Sequence, residues 1–407
     1  MLRIGLADLP GTADPAFAVT PSDWLAVGLV NAGLYRLDDA GTAIPDMLAE
    51  PCRREAGGRR WQCRLRRGVF AHDGRRVVSA DVRASFARLA GSPHAWVLQR
   101  VVVAPRDETS FTLTVPSPLE PLELGLMLAS PALSIVRGPA ASPAGPFRVT
   151  SWSSRDGSAM LAAHDQFHGG RPYLDALSLR AFGTPERAVE AFHYGTVDLV
   201  LEDSRRYKDP QRISGPVRET LGLLVSPRHL GQPVLGRRAL FRAAPRGDLA
   251  TRTSGQAAAA RDVLPGGAGL EGAAAASGLR WFVGYPEALR AFCEAMAAGF
   301  GPPGRPWPIE PADATAYGHT LRRLGASRWD AALVDHLHVD VWPEAAARTL
   351  ATLAGIDGGA SPVNVLRERL PWVPLVDRGR TAVVSRAFRG VRWTGASVLD
   401  LSGAFRP

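Results

Sequence analysis

At 407 residues the chain is too long for one minimal core at about 150 residues per domain, so two or three substructures are expected. Its 46% hydrophobic and 21% charged residues are globular values, and 42 glycines with 33 prolines indicate a turn-rich chain, which excludes collagen and wholesale disorder. The formal charge is +9 with Lys208 as the single lysine, so a phosphate-cradling loop that needs lysine after its last glycine is excluded.

The arginines are scattered in small clusters such as Arg53-Arg54 and Arg64 to Arg67, with no basic helical stripe and no interleaved aromatics. They read as a solvated surface and not as a nucleic-acid face. No charged head precedes a long apolar run at the start. The longest apolar stretch, Leu122 to Val136, is interrupted by Glu123 and Pro131, short of the ~20 apolar residues of a spanning helix. A soluble chain is expected.

In chain order, Arg3 to Ala7 reads as a strand and Thr20-Pro21-Ser22-Asp23 as a helix start with a capping box. The apolar set Trp24, Val27, Leu29 and Val30 follows, and Gly33-Leu34-Tyr35 returns to extended chain. Cys52 and Cys63 flank the turn Ala56-Gly57-Gly58. A hairpin centred there opposes the two cysteines at ~4.5–5.5 Å between Cα atoms, within disulfide reach. The alternative is two reduced, half-buried strand residues. A bridge would imply an oxidising compartment. Cys293 reads as a packed thiol on a helix.

Ser79 is expected to cap a helix carrying Val82, Phe86 and Leu89 on one face. Strands follow over Val101 to Val115, Phe147 to Trp152 and Met160 to His164. A helix from Thr184 to Phe192 precedes a buried strand at Val197 to Leu201. From Ser226 to Gly278 the composition shifts to Ala, Arg and Gly, and Ala257 to Ala260 and Ala273 to Ala276 read as loose surface helices. A βαβαβ run is expected next: strand Leu279 to Val283, helix Pro286 to Phe300, strand at Ile309, helix Thr315 to Leu324 and strand Trp329 to Val334. Strands alternating with helices imply a layered α/β protein, and no 20–50-residue period suggests a solenoid or propeller.

The order of landmarks resembles the family 5 extracellular solute-binding proteins, the oligopeptide, dipeptide and nickel-binding subunits of ABC importers. The matching stretches are Leu2 to Pro15, Gly33 to Asp38, Pro45 to Glu50 with Trp61 to Gly74, Ser79 to Val82, Ala144 to Phe147, His168 to Asp175, Gly195 to Val200 and Trp372 to Leu375. The match is dense over residues 2–202 and sparse afterwards. The resemblance implies a two-lobed periplasmic-binding-protein-like fold, type II and cluster C in kind, hinged on two strands and closing around a ligand. Lobe I would be residues 1–225 plus 376–407, with an inserted subdomain at about 45–141. Lobe II would be residues 226–375, shortened, with the helix before the Pro-Leu return strand mostly missing around Ile356 to Ser361.

Similar proteins place a Gly-Trp segment and an acid where this chain has Asp335-His336-Leu337-His338-Val339-Asp340-Val341-Trp342. By position His336 replaces that tryptophan, and Val339 or Asp340 the acid that pairs with a peptide's amino group. If the segment is extended, His336, His338 and Asp340 share a face. They are candidate ligand contacts and, as an alternative, a Ni, Cu or Zn set. Trp24, Tyr35 and Trp342 are candidate aromatic walls, and Arg378, with Arg380, a candidate fork for an anionic ligand.

No H-E-x-x-H, C-x-x-C or G-x-S-x-G is present, and Gly267 to Gly272 matches G-x-G-x-x-G without a preceding strand, so it reads as a loop. No catalytic residue, resident metal or cofactor is expected. The expected protein is a non-enzymatic, monomeric binding subunit that captures a peptide-like or other small polar solute and docks on importer membrane subunits. It would be periplasmic or cell-surface if a leader has been removed, and cytoplasmic if native from Met1. Two alternatives stay open: a cytosolic ligand sensor on the same fold, and a nickel or metal-chelate binder.

Overall fold

The computed structural model describes residues 1–138, 140–201, 211–253, 256–265, 267, 269–270, 280–300, 305–312, 321 and 324–407. Lys208 and Ala273 to Ala276 lie outside them, as does most of Thr315 to Leu324.

One hydrogen-bonded sheet runs through the molecule. Its strand order is Ile309–Ala312, Val283–Pro286, Ala331–Leu337, Gln211–Val225, Trp372–Val384, Leu199–Val200, Leu2–Leu6, Ala176–Ala181, Ser158–Ala163 and Phe147–Ser153, with Gln256–Ala259 also paired to Trp372–Val384. Its middle is two long antiparallel strands, Gln211–Val225 and Trp372–Val384, and these divide between two cores. Ala382 and Val384 pack with Leu2, Ile4, Leu177, Leu199 and the C-terminal Leu399 and Leu401. Leu221 to Val225 and Trp372 to Val376 pack instead with Val283, Met296, Leu333 and Leu350. The crossing lies between, where the register shifts at Ser214/Val217 and Val217/Glu219. The sequence dictates the irregularity there. Pro216 has no N–H to give the ladder, and a Cβ on Gly379 would stand 2.9 Å from the Gly215 carbonyl oxygen.

A third core unites the four-stranded sheet Arg53–Glu55, Arg60–Arg64, Ser110–Thr114 and Val102–Pro105 with the helices Pro21–Val30, Ser79–Ala87 and Pro121–Leu128. Cys52 and Cys63 are disulfide-bonded at 4.5 Å between Cα atoms, next to the hairpin register Arg53↔Gln62.

The helix Pro21–Val30 starts as its sequence requires. The Thr20 hydroxyl accepts from the Asp23 N–H at 3.1 Å, and the Asp23 carboxylate accepts from the N–H groups of Thr20, Val19, Gly11 and Thr12. One carboxylate thus ties the preceding loop to the helix. The helix Ser79–Ala87 differs from expectation. Ser79 is its first residue, its hydroxyl donates to the Asp107 carbonyl, and Asp81 accepts from the Val78 N–H at 2.9 Å.

Four further expectations need correction. Ala257 to Ala260 is not a surface helix: Gln256–Ala259 is a strand on Trp372–Val384, with Ala257 opposite Arg378. Tertiary pairing overrides the helical preference of alanine. The return strand is preceded by the helix Pro362–Arg369, so that element is present and begins just after the stretch where it was expected to be missing. The first strand of the βαβαβ run is Val283–Pro286, with Arg290–Phe300 as its helix. The strand expected at Trp329 to Val334 is Ala331–Leu337, reaching into the histidine-rich segment.

Candidate functional site

Strand alternation sorts the chemistry of the hinge region onto two faces. In the register Leu221↔Asp335, Thr220↔His336 and Thr220↔Asp377, with Glu219↔Arg378, paired residues share a face and successive residues do not. Thr220, His336 and Asp377 therefore lie on one side of the sheet. Glu219, Leu221, Asp335, Arg378 and Arg380 lie on the other.

On the His336 side, the Thr220 hydroxyl donates to Asp377 Oδ1 at 2.7 Å and so accepts from His338 Nε2 at 3.0 Å. His336 and His338 stand edge to face, with ring centres 4.6 Å apart. Asp340 accepts from the Thr349 hydroxyl at 2.7 Å, and Thr349 lies on the helix Pro343–Leu353. From the other side of the sequence come Trp24 and His94, with ring centres 5.9 Å apart, and Trp96, whose indole N–H donates to Thr349 at 3.1 Å. His94 Nδ1 stands 3.3 Å from the Thr349 hydroxyl and 3.9 Å from Asp340 Oδ2. These side chains are all buried. Between them lies a void of about 10 Å³ lined by Trp24, His94, His336, His338, Asp340 and Thr349. That is room for about one water, at roughly 10–15 Å³ per site.

Burial keeps these imidazoles neutral. It holds His336 down to about 4, and His338 well below the ordinary histidine value, with the neighbouring rings adding to it. For His94, burial outweighs the nearby Asp340 charge and again lowers the value. Among the described residues, no group of three His, Cys, Asp or Glu side chains is arranged to hold a metal ion. The proposed set His336, His338 and Asp340 shares a cavity but not a coordination geometry, because His338 turns to Thr220 and Asp340 to Thr349.

Trp24, His336, His338 and Asp340 are thus brought together, and three other candidates are elsewhere. Tyr35 is buried in the core shared with the four-stranded sheet, its hydroxyl accepting from the Cys52 N–H at 2.9 Å. Trp342 precedes the helix Pro343–Leu353 and lines a separate void of about 20 Å³ with Trp96 and Arg348. Arg378 is on the opposite face, bonded to Asp335 at 2.7 Å and to Glu219 at 2.5 Å. The residues that the sequence does not signal are His94, Trp96 and Thr349. They meet across separations of 253 and 255 residues, with no local pattern to mark them.

The family model for bacterial extracellular solute-binding proteins, family 5, matches residues 43–270. The chain belongs to this family. Members of the family are extracellular transport components without enzymatic activity. The Bacillus subtilis (strain 168) protein YhjP is 33% identical over 128 residues, a match that covers 30% of this chain and 22% of that protein. Three solved structures share the two-lobed fold. A dipeptide-binding protein from Pseudoalteromonas sp. SM9913, in complex with Met-Leu, superposes with a TM-score of 0.82 at 12% identity, covering 100% of both chains. The periplasmic binding protein DppA of Helicobacter pylori, in complex with the peptide STSA, gives 0.82 at 15% identity, covering 100% of this chain and 98% of that one. MoaA of A. tumefaciens R10, in complex with mannopinic acid, gives 0.81 at 17% identity over 100% and 99%.

Proposed function

We propose that the protein is the substrate-binding subunit of an ABC-type importer and captures a small peptide-like or other small polar solute by hinge closure. The lobes are residues 1–225 with 376–407, and 226–375. The observation that carries this reading is the buried polar cluster. Trp24 and His94 from one lobe meet His336, His338, Asp340 and Thr349 from the other in a cavity sealed from water. Burying several polar side chains between two hinged bodies is costly unless their hydrogen bonds are met. Separation of the lobes exposes them for a solute, and closure over that solute replaces their mutual contacts.

The structural relatives bind a dipeptide, a tetrapeptide and mannopinic acid, which supports a small solute rich in hydrogen-bonding groups. The family's extracellular character and the Cys52–Cys63 bridge support an oxidising, periplasmic or cell-surface location. The partners are the solute and the importer's membrane subunits, engaged by a monomer.

The test is thermal-shift screening of a library of di- and tripeptides and small polar solutes, repeated with Asp340→Asn and His336→Gln. The reading predicts binders whose shift falls at least tenfold in apparent affinity in both variants. Binders insensitive to both substitutions would move the solute away from this cluster.

A further inference from the structure

Small arginine clusters that look scattered along the chain are gathered by the fold onto one surface. The stretch from Glu50 to Arg67 holds seven arginines and two glutamates, a net +5 out of +9 for the whole chain. It supplies two strands of the four-stranded sheet, Arg53–Glu55 and Arg60–Arg64, and strand alternation divides their side chains. Trp61 and Cys63 turn inward with Phe111 and Leu113, into the core beneath the sheet. Arg60, Gln62 and Arg64 turn outward, and the register Arg53↔Gln62 sets Arg53 beside them. Arg59, Arg66 and Arg67 stand exposed at the two ends of the strand.

The outward face is basic on one side and small or apolar on the other. Its rows run Arg53, Gln62, Thr112, Ala104 and Glu55, Arg60, Thr114, Val102, with Arg64 beside Ser110. Val102 is 62% exposed. The acids of the face are engaged by single arginines: Glu55 accepts from Arg53 at 2.9 Å, Glu50 from Arg64 at 3.1 Å, and Glu120, at the edge, from Arg54 at 2.7 Å. Arg66 donates to the carbonyls of Asp46 and Leu48 and so keeps its charge. Among the described residues, Arg59, Arg60 and Arg67 have no ion-pair partner. The turn between Val102–Pro105 and Ser110–Thr114 adds Arg106, Asp107 and Glu108 at one end. A surplus of arginine therefore faces outward over an exposed sheet surface.

We propose that this face is a docking surface for an anionic phospholipid bilayer. Alternate residues on a strand stand ~7 Å apart, less than the ~10 Å over which 0.1 M salt screens charge, so the arginines act together on a charged plane. Guanidinium forks match phosphate oxygens, and basic clusters are drawn to anionic headgroups. Val102 offers an apolar side chain to the same interface. The choice of a bilayer over other polyanions rests on the importer reading above, because such a subunit works against a membrane, and on the form of the site, a sheet surface that meets a plane. The face belongs to the core that carries the Cys52–Cys63 bridge and lies apart from the histidine cluster.

The test is co-sedimentation of the whole chain with mixed phosphatidylglycerol–phosphatidylcholine vesicles and with pure phosphatidylcholine vesicles, at low and at high salt. Expected are association at least tenfold tighter with the anionic vesicles, its loss at high salt, and at least tenfold weakening in Arg59→Gln/Arg60→Gln/Arg67→Gln. The variant Arg59→Lys/Arg60→Lys/Arg67→Lys keeps the charge and is expected to keep most of the binding. Arg187→Gln, on the helix Pro185–His193 and in contact with a different core, is expected to leave it unchanged. Should the triple glutamine variant fail to fold, Arg60→Glu reverses one charge of the face and is expected to weaken binding in its place. Equal binding to both kinds of vesicle, binding unchanged in the glutamine variant, an equal loss in Arg187→Gln, or retention by single-stranded DNA without retention by vesicles overturns the proposal. Thermal shift with solutes, run on the same variants, is expected to be unchanged. Failure of vesicle binding thus leaves solute capture standing, and failure of solute capture is read in a separate measurement.

Discussion

Asp377 and Arg378 are chain neighbours with opposite surroundings, because the strand turns them to opposite faces. Asp377 is pushed up to about 6 by burial, against the donated hydrogen bond from Thr220. Its folded-state value lies above the ~3.9 of an unfolded aspartate, so its contribution to stability is fully present below about pH 4 and is lost as pH rises through about 6. Asp377→Asn keeps the acceptor for Thr220 and removes the titration. Urea denaturation should find the variant more stable than the parent by about 2–3 kcal/mol at pH 8, from a shift of about two units, with the two converging as pH falls towards 4. An equal gain at both pH values would mean that Asp377 does not bind the proton on folding. At this scale the sequence was readable in part. His336 and Asp340 announce themselves by residue type beside a landmark of the family. Thr220, His94 and Thr349 do not, since ordinary threonines and an isolated histidine acquire meaning only through partners far along the chain.

At the scale of elements, local chemistry reads well where it decides the structure and poorly where pairing does. The Thr20-Pro21-Ser22-Asp23 start is fixed by hydrogen bonds within four residues, and the structure has them. The hairpin around Gly57 is equally local and brings Cys52 to Cys63. Gln256–Ala259 is the opposite case: nothing in a run of alanines says that it will lie on the return strand. The disulfide closes a loop with a sequence separation of 11, and such loops stabilise by about 2–3 kcal/mol through the unfolded chain. Cys52→Ser/Cys63→Ser is expected to lower stability by that amount in chemical denaturation, with solute binding by the folded protein unchanged. A loss of binding in the folded variant would mean that the four-stranded sheet is coupled to the cleft through the core it shares with Trp24 on the helix Pro21–Val30.

For the whole molecule, the decisive feature is the pair of strands that leave one core and enter another. Pro216 and Gly379 loosen their ladder where they cross, and the polar groups of both faces gather at that crossing. The sequence conveyed the two-lobed fold through an ordered series of weak landmarks in its first half. It was least informative about the second lobe, where the landmarks thin out and packing alone sets the geometry. Arginines pair with carboxylates, as Arg3 does with Asp198, Arg367 with Asp262 and Arg378 with Glu219 in the hinge cluster, and the +9 net charge is the excess of basic over acidic residues that such pairing leaves. The central claim is that the lobes close on a solute at the cluster formed by Trp24, His94, His336, His338 and Asp340. It is tested most directly by native mass spectrometry of the protein purified from rich medium, before and after partial unfolding and dialysis. The account predicts one small molecule per chain, released by that treatment and absent from His336→Gln purified in parallel. A bare mass in both proteins, with no library solute raising the melting temperature of the unaltered chain, would contradict it.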